Sequence, residues 1–336
     1  MHLKTIYNHD VSRWVRDVGP VNHLYSGRVL GITEPPDAVQ LPPELRPQWE
    51  TISAHFKRIK LTHSLYPVWD LSWSRIPEFQ GQEISVFIFD DVLSSESEAA
   101  KWFMKRDSRW VDCLRYINSK NNFISLAENL GVGVPYTICA ECKSQLNLRV
   151  LRFPCFLKPA LAGNGAGIVH CRSAEELEKA LSVFPEKIPL QVQEEVKAIS
   201  FINLQYHIKD NRLRRLAATE QILDGSAYCG SHYPSRFRPW KLVDPIAEWI
   251  AAKGMKDIFA FDLAVTDQPD ESRYFALECN PRFNGATYPT LVAKKLGIKN
   301  WSFESFPTQF ENLDQIDLEG IECPLIRLLL LRAASK

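Results

Sequence analysis

The residues best suited to chemistry lie in one stretch, Phe259 to Pro289, where two acids and an amide fall in runs of alternating side-chain type. The runs flank a turn-rich centre of Gln268, Pro269, Asp270 and Glu271, and the pattern predicts a β-hairpin. Antiparallel pairing about Asp270 sets Asp262 opposite Glu278, Ala260 opposite Asn280 and Ala264 opposite Ala276, all on one face. The other face would carry Phe261, Leu263 and Val265 with Phe275, Leu277 and Cys279, a strip suited to a core.

Two carboxylates at cross-strand distance repel each other unless a proton, a base or a cation lies between them. A hard divalent cation fits best, because magnesium prefers carboxylate and carbonyl oxygens and commonly bridges to substrate phosphates. The neighbouring alanines would leave room for those phosphates. A solvated hairpin face with surface acids has the same pattern, so the hairpin alone leaves both readings open.

The elements around it must come from a chain of 336 residues, 45% of them hydrophobic, enough for two or three packed units. Lys plus Arg and Asp plus Glu both number 40, so no bulk attraction to nucleic acid or an anionic membrane is expected. The opening MHLKTIYNHD lacks the apolar core of a signal peptide, and no apolar run approaches the length of a bilayer span. Eight cysteines, with a single Cys139-x-x-Cys142 pair and no second pair to complete a zinc site, fit reduced thiols and a cytoplasmic location.

Residues 1 to about 80 are rich in Trp, Pro and His, and His9, His23, His55 and His63 read as packing or surface residues. Ile84 to Phe89 reads as a strand, with no Gly-rich turn of a dinucleotide fingerprint after it. Farther on, Phe123, Leu126, Ala127 and Leu130 have helical spacing, with Gly131 able to end the helix. Lys120 falls at the start of that helix, where a lysine is normally a solvated charge, although it opposes the helix dipole and so asks for a reason.

Phe153 to Pro159 predicts a buried strand carrying Lys158, which runs into the glycine-rich Ala162 to Gly167. Glycines let a backbone approach an anion and aim several N–H groups at it, so the pair suggests phosphate binding, though a Gly-rich hairpin turn is the commoner explanation. The G-K-[ST] ending of a P-loop is missing. Ser173 to Glu176 has capping-box spacing for a helix to about Phe184. Leu190 to Val196 reads as a strand, Phe201 to Ile208 with Leu213 to Ile222 as a hairpin about Asp210-Asn211, and Pro245 to Lys253 as a helix.

Taken in order, Lys120, Phe156-Leu157-Lys158-Pro159 with its Gly loop, Gln193-Glu194-Glu195-Val196, Asp262, and Glu278-Cys279-Asn280-Pro281-Arg282 resemble the ATP-grasp superfamily over about residues 118 to 297. That resemblance implies a mixed α+β and α/β architecture. An N-terminal α/β domain (1–117) would precede two α+β subdomains enclosing ATP, a central lid (118–196) and a C-terminal one with the metal site (197–336). It further implies that Lys120 and Lys158 contact phosphates, that Gly163, Gly165 and Gly167 belong to a loop closing over them, and that Glu194, Glu195 and Val196 form the adenine hinge. Asp262, Glu278 and Asn280 would hold magnesium, with manganese as the alternative, and Arg282 would meet a carboxylate or acylphosphate, with Lys158 beside it in catalysis. The family's usual ribose acid is not matched, its place falling near Ser200.

The expected activity is that of an ATP-dependent carboxylate-amine ligase working through an acylphosphate on an amino acid or small peptide. Its partners would be a small carboxylate and an amine, without nucleic acid or membrane, and a homodimer is left open. A carboxylase or acylphosphate-using transferase of the same superfamily and a non-catalytic ATP-binding module are the alternatives. Tyr228, His232 and Arg236 are candidate substrate contacts.

Overall fold

A computed structural model describes residues 4–11, 22–79, 81–87, 98–162, 167–225, 227–269 and 273–304. The chain divides into two units, one of residues 1–105 with 285–336 and one of residues 106–284.

In the first unit, β1 (Thr5–Asn8), β2 (Ala38–Gln40), β3 (Tyr66–Val68) and β4 (Glu83–Val86) form a parallel sheet in the order β3-β2-β1-β4, with α1 (Trp49–Arg58) between β2 and β3. The strand expected over 84–89 is β4, and residues 88 and 89 lie outside the described ones. His9 packs as expected: it is buried, with Nδ1 2.8 Å from Tyr288 Oη and Nε2 3.1 Å from Ser85 Oγ. Burial, followed by the nearby Arg28 charge, holds its pKa well below the ordinary range.

A helical stretch, α2 (Glu98–Asn118), is broken at Asp107, whose φ of −160° is extended rather than helical. In the second unit α3 (Lys120–Asn129) follows, with Ser119 Oγ accepting from the Asn122 N–H as N-cap. Gly131 ends α3 as expected, at a φ of +71°, while the Val132 N–H returns to the Ala127 carbonyl at 2.8 Å.

A four-stranded antiparallel sheet has the order β5-β8-β6-β7, built from β5 (Thr137–Ala140), β6 (Cys155–Pro159), β7 (Val169–Cys171) and β8 (Leu190–Glu194). One face is apolar. Cys155, Leu157, Cys171, Leu190 and Val192 pack there with Leu177 and Leu181 of α4 (Ala174–Val183), whose N-cap is Ser173 as the capping-box spacing predicts. Pleat alternation puts Lys158, Gln191 and Gln193 on the other face.

Five further antiparallel strands lie in the order β13-β12-β9-β10-β11: β9 (Ser200–Lys209), β10 (Arg212–Asp224), β11 (Ala227–Tyr233), β12 (Asp257–Val265) and β13 (Tyr274–Asn280). The β9–β10 turn is the expected Asp210-Asn211, with both φ angles positive, at 52° and 56°, as a two-residue hairpin demands. The greasy face of this sheet carries Phe259, Phe261, Leu263, Leu204 and Tyr206, and Phe123 of α3 stacks on Phe261. The helix α5 (Trp240–Ala252) begins ahead of the Pro245 start expected from sequence, because its apolar stripe of Val243, Ile246, Ala247 and Ile250 is buried and includes the turn before the proline.

The β12–β13 hairpin has the expected register where the chemistry lies: Asp262 pairs with Glu278 and Ala260 with Asn280. Ala264, however, pairs with Phe275 rather than Ala276, because a bulge at this point sets Leu263 opposite Ala276. Leu277 is the extra residue, and a bulge cannot be read from period-two alternation. Asp270 and Glu271 of the expected turn lie outside the described residues. A further α-helix, α6 (Thr287–Lys295), belongs to the first unit.

Candidate active site

The site is built where the start of α3, the end of β6 and the β12–β13 hairpin converge within the second unit. Lys120 is the link. Its backbone N–H donates to the Ala160 carbonyl at 2.8 Å, and its Nζ donates to the Ala162 carbonyl at 3.0 Å while lying 2.8 Å from Glu278 Oε2. A lysine at a helix N-terminus is thereby explained: its ammonium, with the side chain 7% exposed, is the counter-charge of an acid from a distant strand.

Glu278 is the charged member of the acid pair. Burial works against its carboxylate, but Lys120, then Lys158 and Arg282, outweigh it and hold the pKa near 2. Its side chain keeps 31% of its surface open, so a ligand can still reach it.

Asp262 is held by amides. Its Oδ1 accepts from Asn203 Nδ2 at 2.6 Å and Gln221 Nε2 at 2.7 Å, and its Oδ2 from Asn280 Nδ2 at 2.8 Å. Asn284 in turn donates to Asn203 Oδ1 at 3.2 Å. Burial, followed by the charge of Glu278, raises the Asp262 pKa to about 7. Two carboxylates and the free carbonyl oxygen of Asn280 form a hard-oxygen set, and the strained ionisation of Asp262 is what a divalent cation would relieve, so these residues fit the ion the sequence implies. Among the described residues no group of three or more His, Cys, Asp or Glu gathers as an alternative metal site.

Lys158 leans along its sheet to donate from Nζ to Gln193 Oε1 at 2.7 Å, and Gln193 Nε2 donates to Thr137 Oγ1 at 3.0 Å. Burial lowers the Lys158 pKa to about 8, with Glu278 opposing the shift and Lys120 adding to it. Arg282 donates from Nη1 to Asn118 Oδ1 at 3.3 Å. Gly163 and Gly165 lie outside the described residues. Gly167 has a φ of +71°, and a Cβ there would come within 2.9 Å of Pro159 Cγ, so only glycine suits the position.

The expected hinge spends its acidic side chains locally. Glu194 accepts the Tyr136 N–H at 2.9 Å through Oε1 and pairs with Arg152 at 3.1 Å through Oε2, while Glu195 pairs with His170 at 3.2 Å. The N–H groups of Glu194 and Glu195 go to the Tyr136 and Pro154 carbonyls, and the Val196 carbonyl accepts from Ala198. Hydrogen bonds therefore fix the course of residues 194–196.

Of the candidate substrate contacts, Tyr228 shares the acid face, bonded to Ser231 Oγ at 2.9 Å, and burial with a contribution from Asp262 pushes its phenol up to about 12. Arg236 and His232 face the other way. Glu220, opposite Ile202 and His232, alternates with Gln221 on the Asp262 face, and Glu220 is the residue that grips Arg236 and accepts from Ser200 Oγ at 3.2 Å. Sequence reasoning missed Asn203, Gln221 and Asn284. Asn203 and Gln205 alternating inside the apolar strand FINLQYHI were the available signal, but their meeting with Asp262 depends on β9 lying between β12 and β10.

No protein-family model matches the chain, and no curated protein matches it. Solved structures do. An N5-carboxyaminoimidazole synthetase from Staphylococcus aureus, complexed with ADP, is similar with a TM-score of 0.57 and 11% identity over 87% of this chain and 77% of that one. An N5-carboxyaminoimidazole synthase from Aspergillus clavatus, in complex with ADP and 5-aminoimidazole ribonucleotide, is similar with a TM-score of 0.55 and 12% identity over 88% and 77%. An L-amino acid ligase from Bacillus licheniformis is similar with a TM-score of 0.55 and 11% identity over 89% and 70%. With the architecture and the order of its motifs in agreement, the chain has the ATP-grasp fold.

Proposed function

We propose that this protein is an ATP-dependent carboxylate-amine ligase that works through an acylphosphate and releases ADP and phosphate, with an amino acid or small peptide as substrate. The observation that carries the reading is the meeting of Asp262, Glu278 and Asn280 with Lys120 on one sheet face, with Lys158 and Arg282 close enough to bias the Glu278 charge. Two of the similar structures were solved with ADP, a third is of an L-amino acid ligase, and both likenesses support it.

Phosphoryl transfer to a carboxylate needs alignment and charge neutralisation more than covalent help. In this reading Lys158 and Lys120 steady the phosphates, and the glycine loop ending at Gly167 brings N–H groups beside them. The backbone of Glu194, Glu195 and Val196 meets the adenine. A magnesium ion held by Asp262, Glu278 and Asn280 would neutralise charge on the phosphate oxygens.

A carboxylate oxygen of the acid attacks the γ-phosphorus, the bond to the ADP oxygen breaks, and an acylphosphate results. The amine then attacks the acyl carbon, phosphate leaves with the bonding pair, and the amine gives up a proton. Arg282 faces the carboxylate and the phosphate that replaces its charge.

The carboxylated products for which two of the similar enzymes are named favour a second reading, a carboxylase of the same fold with bicarbonate as the acid. Phosphate release measured across pairs of acids and amines, with ADP and AMP resolved, tests both. Dependence on an acid and an amine with ADP formed supports the ligase, dependence on bicarbonate supports the carboxylase, and AMP formation contradicts both.

A further inference from the structure

Lys158 and Gln191 are direct partners across β6 and β8, whereas Gln193 stands opposite Phe156, two residues along the same face and toward the hinge. Direct partners hold their Cβ atoms about 5 Å apart. The Lys158 ammonium nevertheless leans diagonally to Gln193. Gln191 is left fully enclosed, 0% exposed, with neither Nε2 nor Oε1 hydrogen-bonded.

A second acceptor nearby is in the same condition. Asn121 donates from Nδ2 to the carbonyls of Ala140 and Leu190, at 3.4 and 3.3 Å, and its buried Oδ1 has no partner. Leu190 immediately precedes Gln191, so the Gln191 amide and the Asn121 Oδ1 lie at the same end of the sheet, where β6 runs on from Lys158 to Ala160. Buried polar atoms without partners are rare in native proteins, and an apolar residue would suit a permanently sealed position better. A lysine ammonium has three donors and a flexible stem, which suits it to meet these acceptors.

We propose that Lys158 has two stations, Gln193, where its ammonium lies here, and Gln191 with Asn121 when a nucleotide's phosphates draw the ammonium away from Gln193. Gln191 is then a positioning residue for Lys158, and Gln193 the partner that parks it. This rests on the nucleotide reading of the site.

Calorimetric titration of ADP and of adenosine into wild type, Gln191→Leu and Gln193→Leu tests it, alongside the crystal structure of the wild-type ADP complex. Losing a hydrogen bond to a charged group should weaken ADP binding to Gln191→Leu about tenfold while leaving adenosine unchanged. Gln193→Leu should bind ADP as tightly as wild type or more so, and the ADP complex should show Lys158 Nζ on Gln191. Equal ADP affinity in wild type and Gln191→Leu, or Lys158 still on Gln193 in the complex, overturns the two stations and leaves the nucleotide site standing. Should Gln191→Leu not fold, the wild-type complex decides alone. No ADP binding by wild type overturns the site reading and this inference with it.

Discussion

Asp262 and Glu278 stand directly opposite each other on β12 and β13 but are compensated in different ways: Glu278 by the Lys120 ammonium at 2.8 Å, Asp262 by three side-chain amides. An amide dipole stabilises a carboxylate less than a full positive charge does. The pair therefore holds one firmly ionised acid and one acid ready to change state.

A pKa of about 7 for Asp262 exceeds the unfolded value, so the stability its protonated form brings is complete below about pH 4 and is lost as pH rises through 7. Glu278 runs the other way: with its pKa near 2, its contribution is present above the unfolded value and is lost as pH falls through 2. His9 and His55, whose pKa values burial lowers, add stability as pH rises over the same range, so the increment given by magnesium isolates Asp262: the ion should raise the melting temperature more at about pH 8 than at about pH 5.5. Thermal scans with and without the ion check this; an equal magnesium shift at both pH values contradicts it.

Glu278→Gln should lower turnover by roughly 10²–10³-fold and destabilise the protein by about 3 kcal/mol, because Lys120 is left buried without its counter-charge. Adding Lys120→Met to Glu278→Gln should recover most of the stability and none of the activity. Denaturant melts of the single and double variants decide between this coupling and independent effects.

Asp262→Asn should act in the opposite direction on stability. Removing one of two facing carboxylates should raise the stability of the metal-free protein by about 1–2 kcal/mol while abolishing stabilisation by magnesium. A variant less stable than wild type in chelator would show that the repulsion is already relieved.

The hairpin register at Asp262 and Glu278, the α3 cap at Gly131 and the Asp210-Asn211 turn were legible because local patterns determine them: alternation, a glycine at the helix end, residues that tolerate positive φ. The partner of Lys120 was not, since Glu278 lies on a strand far along the chain. Nor were the amides of Asn203 and Gln221, which reach Asp262 only because the sheet order sets β9 and then β10 beside β12. The bulge that moves Ala276 opposite Leu263 leaves no mark in residue type.

Gly167→Ala tests the loop. With φ at +71° and Pro159 Cγ 2.9 Å from the added carbon, the substitution should cost about 1–2 kcal/mol and weaken ADP more than adenosine. Chemical denaturation and calorimetry read the two effects separately.

The central claim is most directly tested by a crystal structure with magnesium and a non-hydrolysable ATP analogue. The account predicts a cation about 2.1 Å from oxygens of Asp262 and Glu278, joined to the analogue's phosphates, with Lys120 and Lys158 beside them. A nucleotide bound elsewhere, with both acids turned to solvent and no cation between them, would contradict it.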